Sequence, residues 1–112
     1  MRILGGMRAI QITEHGGPEV LTPVEMEIPA PGPGEVLIRT SSVGVNYIDT
    51  YFREGIYARD LPFVPGSEGA GIIERVGADS SDLVVGDRVA WCQVPGSYAQ
   101  YVVAPTSSLV AV

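Results

Sequence analysis

The sequence predicts a mainly β domain of about seven short strands with one or two small helices, closed as a barrel or stacked as a sandwich. Three observations carry this. Gly and Pro are dense, 14 and 9 of 112 residues, and they are spread along the chain rather than gathered in one linker. The stretches between them are short and rich in Val and Ile, which favour extended backbone. Residues 46–53 form the best helix candidate, with a plausible start and stop signal.

The elements follow in order. Residues 7–13 alternate, with Ile10 and Ile12 on one face and Gln11 and Thr13 on the other, and His15-Gly16-Gly17-Pro18 ends the strand. Residues 20–28 are a second extended segment. The sequence Pro29-Ala30-Pro31-Gly32-Pro33-Gly34 closes it, and its prolines exclude a helix there. Residues 35–45 are the longest strand candidate, with Val36 and Ile38 on one face and Leu37 and Arg39 on the other. Asn46 is suited to cap a helix over residues 46–53, Asp49 falls in its first turn, and Gly55 ends it. Leu61-Pro62-Phe63-Val64-Pro65-Gly66 reads as an extended loop. Further short strands are expected at 71–76, 87–91, 97–103 and 108–112, with a turn at 77–82.

Composition excludes several kinds of chemistry. The single Cys92 and single His15 rule out a disulfide framework, a multi-Cys zinc site and a two-His metal site within the chain. All seven basic residues are Arg, so there is no P-loop lysine and no Schiff-base lysine. A net charge of −6 makes nucleic acid and anionic membrane poor partners. No apolar run reaches the length of a membrane span, and Ile3 and Leu4 are too short a core for a signal peptide. A cytoplasmic location is the resulting expectation. Residues 1–6 read as an N-terminal extension ahead of Met7, and 7–112 as the domain. The apolar ending Leu109-Val110-Ala111-Val112 hints that the chain continues.

Two segments stand out as candidate sites. Gly66-Ser67-Glu68-Gly69-Ala70-Gly71 is not a dinucleotide fingerprint, because position 74 is Glu74 and the following residues favour strand. Its glycines read first as a kinked strand entry that permits close backbone approach. Glu68 is either a structural acceptor or a site residue. Tyr47, Tyr51 and Tyr57 cluster beside Asn46, and on a helix Tyr47 and Tyr51 share a face. Such a patch suits a planar ligand through stacking and hydrogen bonds, or it covers a seam between helix and sheet. His15 reads as a solvated turn residue and Cys92 as a buried, inert thiol.

Four segments together carry a resemblance: Gly16-Gly17-Pro18-Glu19-Val20-Leu21, Gly44-Val45-Asn46-Tyr47-Ile48-Asp49-Thr50-Tyr51, Pro65-Gly66-Ser67-Glu68-Gly69-Ala70-Gly71 and Val85-Gly86-Asp87-Arg88-Val89. In order and spacing the chain resembles the N-terminal GroES-like domain of the medium-chain dehydrogenase/reductase superfamily, within it the zinc-free quinone oxidoreductase (ζ-crystallin-like) branch. The resemblance implies a partly open β-barrel and a C-terminal Rossmann domain, outside these residues, that holds most of an NADPH cofactor. It implies transfer of reducing equivalents from NADPH to a quinone or similar planar conjugated carbonyl, homodimerisation of the full-length protein, and little activity of the 112-residue chain alone. In zinc-dependent relatives a Cys stands at Asn46 and a His at Ser67, so the resemblance implies no zinc. Asn46, Tyr51 and Tyr57 would act as catalytic residues, and Asn46, Tyr47, Asp49, Tyr51 and Glu68 would contact the cofactor. An enoyl-type reductase of a conjugated C=C shares this domain. A free-standing, non-enzymatic GroES-like binding module would have no need of the 46–57 patch.

Overall fold

The computed structural model describes residues 6–80 and 82–112. Residues 1–5 of the expected extension lie outside the described residues, and Gly6 already belongs to the first strand. Strands β1 (Gly6–Gln11) and β2 (Thr22–Glu27) pair as an antiparallel hairpin, with Met7 opposite Met26 and Ala9 opposite Val24. The connection between them holds a single 3-10 turn, Pro18–Val20, whose Val20 is buried.

The other strands form one antiparallel sheet: β3 (Glu35–Val43), β4 (Gly69–Val76), β5 (Arg88–Trp91), β6 (Tyr101–Pro105) and β7 (Leu109–Ala111), in the order β6-β3-β4-β5-β7. One helix, α1 (Tyr47–Glu54), interrupts the strand succession between β3 and β4. The fold is thus mainly β with one helix, a curled sheet that makes a partly open barrel.

Residues 97–100 close that curl. The Ile10 N–H donates to the Tyr98 carbonyl at 2.9 Å, and the Gln100 N–H donates to the Arg8 carbonyl at 3.0 Å. The Thr40 N–H donates to the Gln100 carbonyl at 2.9 Å. One short segment therefore satisfies β1 on one side and β3 on the other. This corrects the expected strand over 97–103: regular pairing begins only at Tyr101, because the Ala99 N–H folds back to the Ser97 carbonyl at 2.8 Å.

Inward-facing residues of the five-stranded sheet, with Val94 from the turn after β5, make the core. Val36, Ile38, Ile73, Val89, Trp91, Val94, Val102 and Ala104 form one buried cluster, with Leu83 and Leu109 packed against it. Each large side chain fully buried there contributes roughly 1.5–3 kcal/mol. Leu37 is buried as well, on the opposite face from Val36 and Ile38, so β3 is covered on both sides at its centre. The expected β1 face is corrected. Met7 and Ala9 are the buried residues of the strand, and Ile10 is only half-buried. Ile12 is buried on the other parity because it has left β1 and pairs with Phe63, each N–H donating to the other's carbonyl at 2.8 and 3.0 Å.

The glycines of β4 set how closely strands approach. A side chain at Gly71 would meet the Arg39 carbonyl and lie 2.7 Å from Ile38 Cγ2, opposite an irregularity in β3 between Thr40 and Ser42. A side chain at Gly69 would stand 2.7 Å from Trp91 Cζ2 and 2.8 Å from the Ser42 carbonyl. The kinked-strand reading of this glycine cluster therefore describes its structural role. Gly71→Ala is expected to destabilise the protein by about 1–3 kcal/mol through overpacking, read as a lowered denaturation midpoint. A loss under about 0.5 kcal/mol would contradict the close strand contact.

Candidate active site

Helix α1 begins as the sequence signals. Asn46 sits in extended backbone at the N-cap, and the Asp49 N–H donates to the Asn46 carbonyl at 2.9 Å. The Asn46 N–H donates in return to Asp49 Oδ2 at 3.0 Å. Gly55, at φ +84°, reverses the chain and donates its N–H to the Phe52 carbonyl at 3.2 Å. Eight residues make a helix that is marginal in isolation.

Tertiary bonds hold both ends of α1. At the C-terminal end, the Gly16 N–H donates to the Arg53 carbonyl, and Arg53 Nε donates to the Gly16 carbonyl, both at 3.1 Å. At the N-terminal end the Tyr98 hydroxyl donates to Asp49 Oδ2 at 2.7 Å. Burial, then the bond to Asp49 and its charge, push the Tyr98 hydroxyl well above the usual tyrosine pKa, while the Arg53 charge pulls the other way.

The tyrosines stand in a row along the outer side of α1 and the turn after it. Tyr51 meets Tyr47 edge to face, with ring centroids 5.5 Å apart, and meets Tyr57 at 5.4 Å. Tyr57 also meets Phe52 edge to face at 5.7 Å. Tyr47 is 77% exposed, so a large part of this aromatic surface is open to a partner.

Beside the row lies a cavity of about 490 Å³, lined among others by Asn46, Phe52, Arg59, Ser67, Glu68 and Cys92. Of the expected catalytic and cofactor-contacting residues, the structure brings Asn46 and Glu68 together on this cavity. Tyr47, Tyr51 and Tyr57 do not line it; they are linked to it through Phe52. Asp49 does not line it either: it is buried, with one oxygen committed to the Asn46 N–H and the Tyr98 hydroxyl. The Glu68 side chain packs against the α-carbon of Gly44, in the space where a Cβ there would stand, and the Glu68 carbonyl accepts the Gly44 N–H at 3.1 Å. Its position joins the end of β3 to the entry of β4.

Sequence reasoning missed three participants. Arg59 lies over the Phe52 ring at 3.9 Å from the centroid, and its only signal was its place two residues after Tyr57. Tyr98 carried no local signal, since its partner is 49 residues away. The buried-thiol reading of Cys92 is corrected: Cys92 is exposed and faces the cavity. Strand β5 ends with Trp91 turned into the core, and the pleat then directs the next residue outward. Gln93 turns the chain at φ +61°, and the Val94 N–H donates to the Ser67 carbonyl at 3.1 Å.

The model of the alcohol dehydrogenase GroES-like domain matches residues 32–112. This chain belongs to that family. It is 48% identical over 99 residues to a quinone oxidoreductase of Rattus norvegicus, covering 85% of this chain and 30% of the rat protein. It is 38% identical over 109 residues to a 2-haloacrylate reductase of a Burkholderia species, covering 93% of this chain and 33% of that protein. Among solved structures, the Escherichia coli quinone oxidoreductase complexed with NADPH superposes with a TM-score of 0.92 at 34% identity, covering 94% of this chain and 33% of that one. The chain spans about a third of the length of the curated relatives it matches. The resemblance drawn from its four motifs therefore holds at the level of family and of quinone oxidoreductase relatives.

Tyr98→Phe removes one bond to a buried carboxylate and is expected to cost about 1–3 kcal/mol of stability at pH 7, measured by urea unfolding. The folded-state pKa of Tyr98 is raised, so the stabilisation is fully present below the unfolded tyrosine pKa and is lost as pH rises toward the folded value. The difference between wild type and Tyr98→Phe should accordingly narrow above a pH of about 10. Equal stabilities at pH 7 would contradict the tie.

Proposed function

We propose that these 112 residues are the catalytic-domain part of an NADPH-dependent, zinc-independent quinone oxidoreductase. The observation that carries this is the edge-to-face row of Tyr47, Tyr51 and Tyr57 beside the Asn46 cavity, in a chain whose relatives are quinone oxidoreductases. Flat phenol rings and a carboxamide suit two planar partners held face to face, and reduction of a quinone needs positioning more than a protein nucleophile.

These residues fit the nicotinamide end of the cofactor rather than its phosphates. They offer an amide and phenols, and Arg59 is the one cation on the cavity among the described residues. In this reading a C-terminal Rossmann domain outside these residues holds the phosphates. When bound, NADPH supplies the hydride. Asn46 orients the carboxamide or the substrate carbonyl from the cavity wall. Tyr51 and Tyr57, in the row beside the cavity rather than on its wall, donate hydrogen bonds to the oxygen that gains negative charge where the substrate extends out of the cavity. Glu68 on the cavity wall and Tyr47 in the row beside it face the cofactor, and Asp49 contributes through the Asn46 backbone it holds.

Zinc independence is supported by the donor set. Asn46 and Ser67 line the cavity with an amide and a hydroxyl, neither of which supplies thiolate or imidazole. Cys92 and Glu68 are the only metal-type donors on that cavity among the described residues, one short of the three protein ligands of a catalytic zinc. The cytoplasmic location and the homodimer of the complete protein are part of the same reading. No helix among the described residues is long and apolar enough to cross a membrane.

A second reading, reduction of a conjugated C=C, is favoured by the similarity to the 2-haloacrylate reductase. NADPH oxidation by the complete protein, followed with a panel of quinones and conjugated acids or enones, separates the two. In that assay Tyr51→Phe combined with Tyr57→Phe is expected to lower kcat/KM for a quinone by about tenfold or more. A value within about threefold of wild type would remove the phenols from the proposed role.

A further inference from the structure

Arg59 is the one cation on the cavity among the described residues, and reduction of a neutral quinone gives it no role. Its guanidinium lies 3.9 Å from the centroid of Phe52 and 5.4 Å from that of Phe63. Both rings belong to fixed backbone: Phe52 to α1, and Phe63 to the pair with Ile12. Attraction to the faces of these rings restrains the guanidinium and leaves its N–H groups free to donate.

Those donors have no carboxylate partner among the described residues. The ion pairs there are Arg39 with Glu74 and Arg53 with Glu54, while Glu68, on the same cavity, packs against Gly44. A planar donor fork without an ion-pair partner among the described residues, on a cavity wall, matches an oxyanion bound through two of its oxygens. The geometry points to a subsite at Arg59 for an anionic substituent, carboxylate or sulfonate, on the conjugated-carbonyl substrate. The preferred quinones are then acidic ones. This rests on the reading of the cavity as the quinone site. The same chemistry would suit a cofactor phosphate, which the experiment separates.

The test uses the complete protein, wild type and with Arg59→Met or Arg59→Lys, and two quinones, 1,4-naphthoquinone and its 2-sulfonate. Arg59→Met keeps an apolar stem on Phe52 and removes the charge. The ratio of kcat/KM for the sulfonate to that for the neutral quinone should fall about tenfold, through KM, and Arg59→Lys should recover part of it. Binding of the unreactive naphthalene-2-sulfonate, measured by calorimetry, should weaken in parallel.

An unchanged ratio overturns the subsite. A rise in KM for NADPH that is equal with both quinones overturns it in favour of a cofactor phosphate. Equal loss with both quinones together with a lowered melting temperature overturns it in favour of a structural stack. Should neither quinone be turned over by wild type, the quinone reading falls, and Arg59-dependent binding of naphthalene-2-sulfonate still decides the subsite.

Discussion

One carboxylate organises the site. Asp49 Oδ2 takes the Asn46 N–H at 3.0 Å and the Tyr98 hydroxyl at 2.7 Å, from a position that is 8% exposed. Through these bonds it ties the first turn of α1 to the chain leaving β3 and to the 97–100 segment that stitches β1 to β3. A short helix with little intrinsic stability is thereby attached to the place where the sheet closes on itself. The aromatic row on its outer side and the amide at its cap inherit the rigidity of the sheet. Burial of the carboxylate is tolerable because both groups facing it donate.

The rest of the fold serves that attachment. Close approach at Gly71 and Gly69 lets β4 bend against β3 and lets Trp91 lie across the strand entry. This brings Glu68, on the approach to β4, against Gly44, just before the cap. The turn after β5, with Cys92, lines the same cavity as α1. The site is thus assembled from the ends of strands and one helix cap, and the interior of the sheet carries only packing. Such placement leaves the cavity wall free to differ between relatives while the core stays fixed.

Much of the architecture was legible because the punctuation is local. Gly and Pro mark nearly every strand end, and Asn46, Asp49 and Gly55 each act within one helical turn, so α1 forms where its caps place it. What was hidden depends on partners far along the chain. The face of β1 was misread because Ile12 changes partner to Phe63, 51 residues on, which no period reports. The strand expected over 97–103 is apolar enough, but its first residues serve two neighbours at once and lose regular pairing. Cys92 looked buried because it follows an apolar strand, yet the pleat turns Trp91 in and Cys92 out. At the site, Asn46 and the tyrosines were visible as a patch. Arg59 was not, because stacking on two phenylalanines is a tertiary event without a sequence signature.

The central claim is that the cap of α1 is formed by the protein itself, ahead of any ligand. The most direct measurement is hydrogen exchange at the Asn46 amide in the complete protein without NADPH. With Asp49 and Tyr98 in place, that amide is expected to be strongly protected in the free protein and to change little when NADPH is added. Exchange at the rate of an unstructured amide, slowed only by the cofactor, would contradict it and would make the site a product of binding.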